Sequence, residues 1–168
     1  MTKVPTKVRF YRLRNRLRDK LGGGAPGTIT IAPDALAAAQ AAIDKMAEDY
    51  PDWVQSHLDQ LRVLHARCVD TREQRSRFYA EIRDIAHNMK GQGGTFGYPL
   101  ISMCATSLYD FTSPRAGKTD NHIEIIKAHI DSMTAIIKGR IKGNGGEIGS
   151  ELMQNLNRAI AKYEVSDP

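Results

Sequence analysis

The chain predicts an all-α protein: an antiparallel four-helix bundle with one additional helix at each end. Three observations predict it. Apolar residues recur at alternating spacings of three and four through most of the 168 residues. No run shows the alternating pattern of a half-buried strand. The breaks between the apolar stripes are short and rich in Pro, Gly, Ser and Asn. Long amphipathic helices joined by short connections pack most readily as antiparallel neighbours. The helical domain is therefore expected over residues 33–168, with the core bundle at about 52–142.

Each element has its own local cause. Pro33-Asp34 opens a first helix with Leu36, Ala39, Ile43, Met46 and Tyr50 on one stripe. Pro51-Asp52 is expected to begin a second, carrying Val54, Leu58, Leu61, Leu64 and Cys68. Asp70-Thr71 begins a third, and Pro99 lies near the start of a fourth that runs to about Phe111. After a turn at residues 113–117, Asp120 or Asn121 caps a long helix. Its stripe is Ile123, Ile126, Ile130, Met133, Ile137 and Ile141, and Gly143-Asn144-Gly145-Gly146 is expected to end it. Ile148, Leu152, Leu156, Ile160 and Tyr163 mark a last helix. Met89, Met103 and Met133 read as core filler.

Residues 1–32 differ in kind. The first twenty hold eight basic groups against one acid, Asp19, a net +7 that leaves −2 for the rest of a +5 chain. The high basicity thus belongs to an arm, followed by a glycine-rich linker at Gly22–Gly27. Such an arm is a solvated segment, or a contact for nucleic acid, anionic lipid or an acidic protein patch. The linker formally contains G-x-G-x-x-G, but no strand precedes it and Pro26 interrupts it, which excludes a dinucleotide site. Gly117-Lys118-Thr119 echoes a phosphate-binding loop, yet Thr112 stands where that loop needs its first glycine. The chain is not expected to draw phosphate from ATP itself.

No run of eighteen apolar residues is present and no apolar segment follows the basic N-terminus, so neither a membrane span nor a secretory signal is expected. Two cysteines, Cys68 and Cys104, fit reduced thiols in a cytoplasmic protein.

The most informative run is Ala86-His87-Asn88-Met89-Lys90-Gly91-Gln92-Gly93-Gly94-Thr95-Phe96-Gly97, with four glycines in its last seven positions. At about 100° per residue, Phe78, Ile82, Ile85, Met89 and Phe96 fall opposite His87. Ala80, Arg83, Asp84, Lys90, Gly91 and Gly94 share the histidine's face, which should point to water. Each glycine inside a helix costs about 1 kcal/mol against alanine. Gly91 and Gly94 therefore mark either the close approach of another surface or the end of the helix, and both can hold.

His87-x-Met89-Lys90-Gly91, followed by Gly94, Phe96 and Gly97, resembles the motif of histidine-containing phosphotransfer (HPt) domains over about a dozen residues. The next helix, with Leu100, Cys104 and Leu108, fits the family's continuation more loosely. Gln92 and Gly93 depart from the small hydroxyl or alanine residues usual there, and Tyr109 stands where a glutamate is common. The resemblance implies that His87 is the phosphoryl acceptor in a two-component phosphorelay and that Lys90 offsets phosphoryl charge. Arg83, Asp84, Gly91, Gln92 and Gly94 become the candidate docking residues.

The resemblance further implies receiver domains of response regulators, or of a hybrid sensor kinase, as partners. Mg²⁺ and the catalytic carboxylates would come from the receiver, and the chain itself would carry no cofactor or metal. Nucleic acid is not expected as a partner. His57 and His65 lie near the apolar stripe and read as packing residues. His122 and His129 are seven apart, too far for a common metal pair at i and i+4. The alternative is a non-catalytic helical adaptor that binds a receiver or, through the basic arm, nucleic acid. The intact His87 and Lys90 favour the phosphocarrier.

Overall fold

The computed structural model describes residues 32–164, with side chains through Lys162. The chain divides into two compact units, residues 1–39 and 40–168. Of the first, residue 32 and the opening helical turns are described, and their side chains are exposed. The basic arm and the glycine-rich linker lie outside the described residues.

Five α-helices follow one another: α1 Pro33–Asp70, α2 Arg75–Gln92, α3 Pro99–Phe111, α4 Asp120–Lys138 and α5 Gly146–Glu164. A 3₁₀ turn, Arg72–Gln74, joins α1 to α2. No strand occurs among the described residues, and no helix there is long and apolar enough to cross a membrane.

The expected break at Pro51 is absent, because α1 runs through it as one helix of 38 residues. A proline lacks only its own N–H, so the helix forfeits one backbone bond and some steric ease. Burial on either side outweighs that loss. Tyr50 is fully buried against Phe96 and Tyr98, at 4.9 and 5.6 Å between ring centroids, and Val54 is buried one turn on. Of the first stripe, Tyr50 alone enters the core; Leu36, Ile43 and Met46 are exposed.

The expected second stripe, Val54, Leu58, Leu61, Leu64 and Cys68, is buried throughout. It meets Phe78, Tyr79, Ile82, Ala86 and Met89 of α2, with residues of α3 and α4, in one apolar cluster. Each buried Leu or Ile there contributes about 2 kcal/mol. The α2 stripe is turned slightly from expectation, with Ala86 and Tyr79 inside and Ile85 half-buried. Met103, expected in the core, is exposed, and so is Ile148 on α5. In α4 the buried face is wider than its stripe, for Ile125, His129 and Ile136 are buried too. Both α3 and α5 pack on this helix, which explains the width.

The end of α4 also differs. The helix stops at Lys138 rather than at the glycines five residues later. Ile141 N–H donates to Ile136 O (3.0 Å) and Arg140 N–H to Ile137 O (3.1 Å), the paired bonds of a Schellman end. Arg140 takes the left-handed conformation, φ 48°, that glycine usually fills.

Two polar devices tie the helices. Arg75, 4% exposed, donates from Nε to Cys68 O (2.8 Å), from Nη1 to Lys118 O (2.6 Å) and from Nη2 to Asp120 Oδ1 (2.7 Å). It thereby holds the end of α1, the α3–α4 connection and the start of α4 together. His129, fully buried in α4, lies 2.7 Å through Nδ1 from Ile125 O and 2.9 Å through Nε2 from the Ser107 hydroxyl. A carbonyl only accepts, so Nδ1 carries the proton and Nε2 accepts from Ser107. Cys68 and Cys104 are both free and fully buried, and the Cys104 thiol lies 3.4 Å from Met153 Sδ on α5.

Candidate functional site

The face of α2 opposite the core carries the sequence-predicted residues. His87, Lys90, Asp84 and Gly91 are exposed there, Arg83 and Gln92 are half-buried, and Gly94 is exposed in the turn just beyond the helix. Arg83 lies four residues before His87 and Lys90 three after it, so one cation stands a turn away on each side.

Across from them α3 contributes Tyr109, half-buried, which the motif marked only as a departure. The Arg83 guanidinium sits 3.5 Å over its ring, and Arg83 Nη1 donates to the Tyr109 carbonyl. Lys90 Nζ lies 5.2 Å from the same ring centroid, and the His87 ring lies 5.7 Å away, tilted by 45°. Arg83 is thus held within the molecule, whereas the sequence cast it only as a docking residue. Among the described residues no carboxylate pairs with Arg83 or Lys90, and no hydrogen bond orients the His87 ring. Asp84 instead lines an open groove between α1 and α2, of about 890 Å³, together with Asp52, Asp59, Glu81 and Arg67.

Beyond Gln92 the chain turns through residues 93–97. The turn is fixed from several sides. Gly94 N–H donates to Ser102 Oγ (3.0 Å), Tyr98 N–H to Gly93 O (2.7 Å), and Gly143 N–H to Gly97 O (2.9 Å). Phe96 packs on Tyr50 and meets Trp53 edge-on at 5.9 Å. Only Gly97 has a left-handed φ here, 84°. The helix thus ends one residue past Gly91, as one of the two readings of these glycines expected, and it does so without a left-handed residue at Gly93 or Gly94.

The glycines separate by what surrounds them. A Cβ on Gly91 or Gly94 would meet nothing within 4 Å. One on Gly93 would lie 2.7 Å from Ser102 Oγ and Tyr98 O and 2.8 Å from Ser102 N. Packing thus requires Gly93, while Gly91 and Gly94 leave bare backbone beside His87. Gly93→Ala is expected to destabilise the fold by about 2 kcal/mol, as overpacking against backbone does. Gly91→Ala and Gly94→Ala should melt within about 1 kcal/mol of the parent, on the stable side where the backbone is helical. Thermal melts of the three variants check the contrast. Equal losses at all three would refute it.

The other histidines take structural positions. His122 stacks on Phe111 at 5.1 Å, and His129 is part of the buried network above. Burial lowers the pKa of His65, against the opposing pull of Glu124. Among the described residues no group of three or more His, Cys, Asp or Glu side chains could hold a metal ion.

Sequence reasoning missed the Tyr109 ring, the Ser102 hydroxyl and the aromatic packing under the turn. The only local signal was Tyr109 itself, a large ring on a helix next to the histidine helix. Compared with family models, with curated proteins and with solved structures, the chain matches none of them.

Proposed function

We propose that the chain is a phosphocarrier of the HPt kind, in which His87 takes a phosphoryl group from a receiver-domain aspartate and passes it to another. The second half of α1 with α2, α3 and α4 would form the antiparallel four-helix bundle of that family, with α5 and the first half of α1 as additions. One observation carries the reading: an exposed imidazole stands between two cations unpaired with acids, beside glycines that leave the backbone bare.

Phosphoryl transfer asks a protein for position and charge rather than covalent machinery. A neutral ring nitrogen of His87 attacks phosphorus as the aspartyl O–P bond breaks. The carboxylate leaves, and the ring proton passes to water. The reverse step returns the group to a second receiver. Lys90 offsets phosphoryl charge, and Gly91 and Gly94 admit the receiver's loops. The receiver supplies Mg²⁺ and its own carboxylates. The acidic groove beside Asp84 gives the docking face a polar rim.

Incubation with a receiver charged by acetyl phosphate is expected to label the protein with an acid-labile, base-stable phosphate. His87→Gln should abolish the label while melting as the parent does, because the side chain is exposed. Label persisting on His87→Gln, or no label on the parent from any receiver of the source organism, would overturn the assignment.

A further inference from the structure

The Tyr109 ring is in contact with all three groups that the transfer would use. Arg83, Lys90 and His87 lie 3.5, 5.2 and 5.7 Å from its centroid. We propose that Tyr109 is a positioning residue for phosphoryl transfer, holding the Arg83 guanidinium beside His87 as a second phosphoryl-binding cation opposite Lys90. The proposal rests on the phosphocarrier reading of His87.

The chemistry of the contact favours this role. A carboxylate at position 109 would fix Arg83 by pairing with it, and would cancel its charge and occupy its donors. An aromatic ring holds a guanidinium through its face, which leaves the charge uncancelled and the in-plane N–H groups available. One of the five donors is used, on the Tyr109 carbonyl, which pins one prong of the fork. The remaining donors can serve an anion.

The nearest acids do not compete. Glu81 is engaged by Arg77 at 3.3 Å, and Asp84 and Asp110 are exposed and form no ion pair with Arg83 or Lys90 among the described residues. A phosphoryl group on the imidazole would stand between cations one turn away on either side. The imidazole, which no hydrogen bond orients, is steadied by the same ring.

The test uses phosphoramidate as donor, so that receiver docking plays no part. Its P–N bond breaks, ammonia leaves, and the new bond joins phosphorus to the His87 ring, whose proton goes to water. Phosphorus NMR gives the rate at saturating donor, the KM, and the lifetime of the phosphohistidine. Tyr109→Phe should stay within about twofold of the parent, because the ring face is kept. Tyr109→Leu and Arg83→Met should each lower the saturated rate roughly tenfold, the loss expected of one charge-assisted hydrogen bond. Because Tyr109 acts through Arg83, the double variant should be no slower than either single one.

Parent-like rates in Tyr109→Leu or Arg83→Met overturn the proposal, as do a Tyr109→Phe as slow as Tyr109→Leu or losses that multiply in the double variant. If Tyr109→Leu does not fold, Arg83→Met and Tyr109→Phe decide the matter alone. No phosphorylation of the parent by phosphoramidate or any receiver sinks the phosphocarrier reading together with this one. A labelled parent with indifferent variants sinks only the role of Tyr109.

Discussion

Arg75→Met is expected to destabilise the domain by about 3 kcal/mol and to lower its melting temperature by roughly 10 °C. Methionine fills much of the same space, so the loss is not chiefly a cavity. It comes chiefly from the buried Cys68 carbonyl, which Arg75 satisfies at 2.8 Å, and from the lost tie to the part-buried Lys118 carbonyl at 2.6 Å. A buried acceptor left without a partner costs about 1–3 kcal/mol. Arg75→Lys should recover little, since a single ammonium cannot span three acceptors on three segments. Arg72 supplies the control. It reaches the same Asp120 carboxylate at 2.6 Å, but its side chain is 70% exposed, so Arg72→Ala should cost less than about 1 kcal/mol. The Arg75 hydrogen bond, helped by Arg72, also holds the Asp120 carboxyl below the usual carboxylate range. A melting temperature for Arg75→Met within about 2 °C of the parent would refute the three-way tie.

Acid should unfold the protein early, and His129 should be a principal cause. Burial pushes this imidazole down to about 4 from an ordinary value of 6.5, against a smaller opposing effect of its bond to Ile125. As pH falls below 6.5, the unfolded chain binds a proton at this position that the folded chain refuses. Stability is therefore complete above pH 6.5 and declines until the folded form titrates near pH 4. At about 1.4 kcal/mol per pH unit, the loss across that interval is about 3 kcal/mol. His65 titrates with the same sign, so the variant matters more than the raw curve. His129→Gln keeps polar atoms toward Ser107 and Ile125 but cannot be protonated. It should start less stable at neutral pH and show a flatter decline between pH 6.5 and 4 in urea melts. An unchanged slope in His129→Gln would move the acid sensitivity elsewhere.

The helical class was legible because helix periodicity is a property of neighbouring residues. Val54 through Cys68 and Ile123 through Ile137 show it, as does the start of α3 at Pro99. The failures arise where a distant contact overrules a local rule. Pro51 should have divided α1, but Tyr50 is anchored by Phe96 and Tyr98, more than forty residues on. The glycines after Lys142 should have ended α4, yet Ile141 reaches back to Ile136 and Arg140 accepts the strained turn.

The candidate site divides in the same way. The exposure of His87 and Lys90 could be read from their angle on the helix. The difference between Gly93 and its neighbours could not, since it depends on Ser102 in the next helix. Nor could Arg83 be assigned an intramolecular partner before α3 was placed across from it. A sequence pattern gives the direction of a side chain, and only the packed fold says what it meets.

The two cysteines give this core its own reporters of motion. Alkylating reagents attack thiolates, and burial pushes Cys68 up to about 11 and Cys104 up to about 12. Neither sulfur has surface for a reagent to reach, so labelling must await a local opening. The openings differ. Cys104 is covered by Met153, so it becomes reactive when α5 lifts away, while Cys68 answers to loosening of the corner where Arg75 grips the end of α1. The ratio of the two labelling rates thus separates peeling of the last helix from breathing of the helices that support His87, in the unmodified chain and without an added probe.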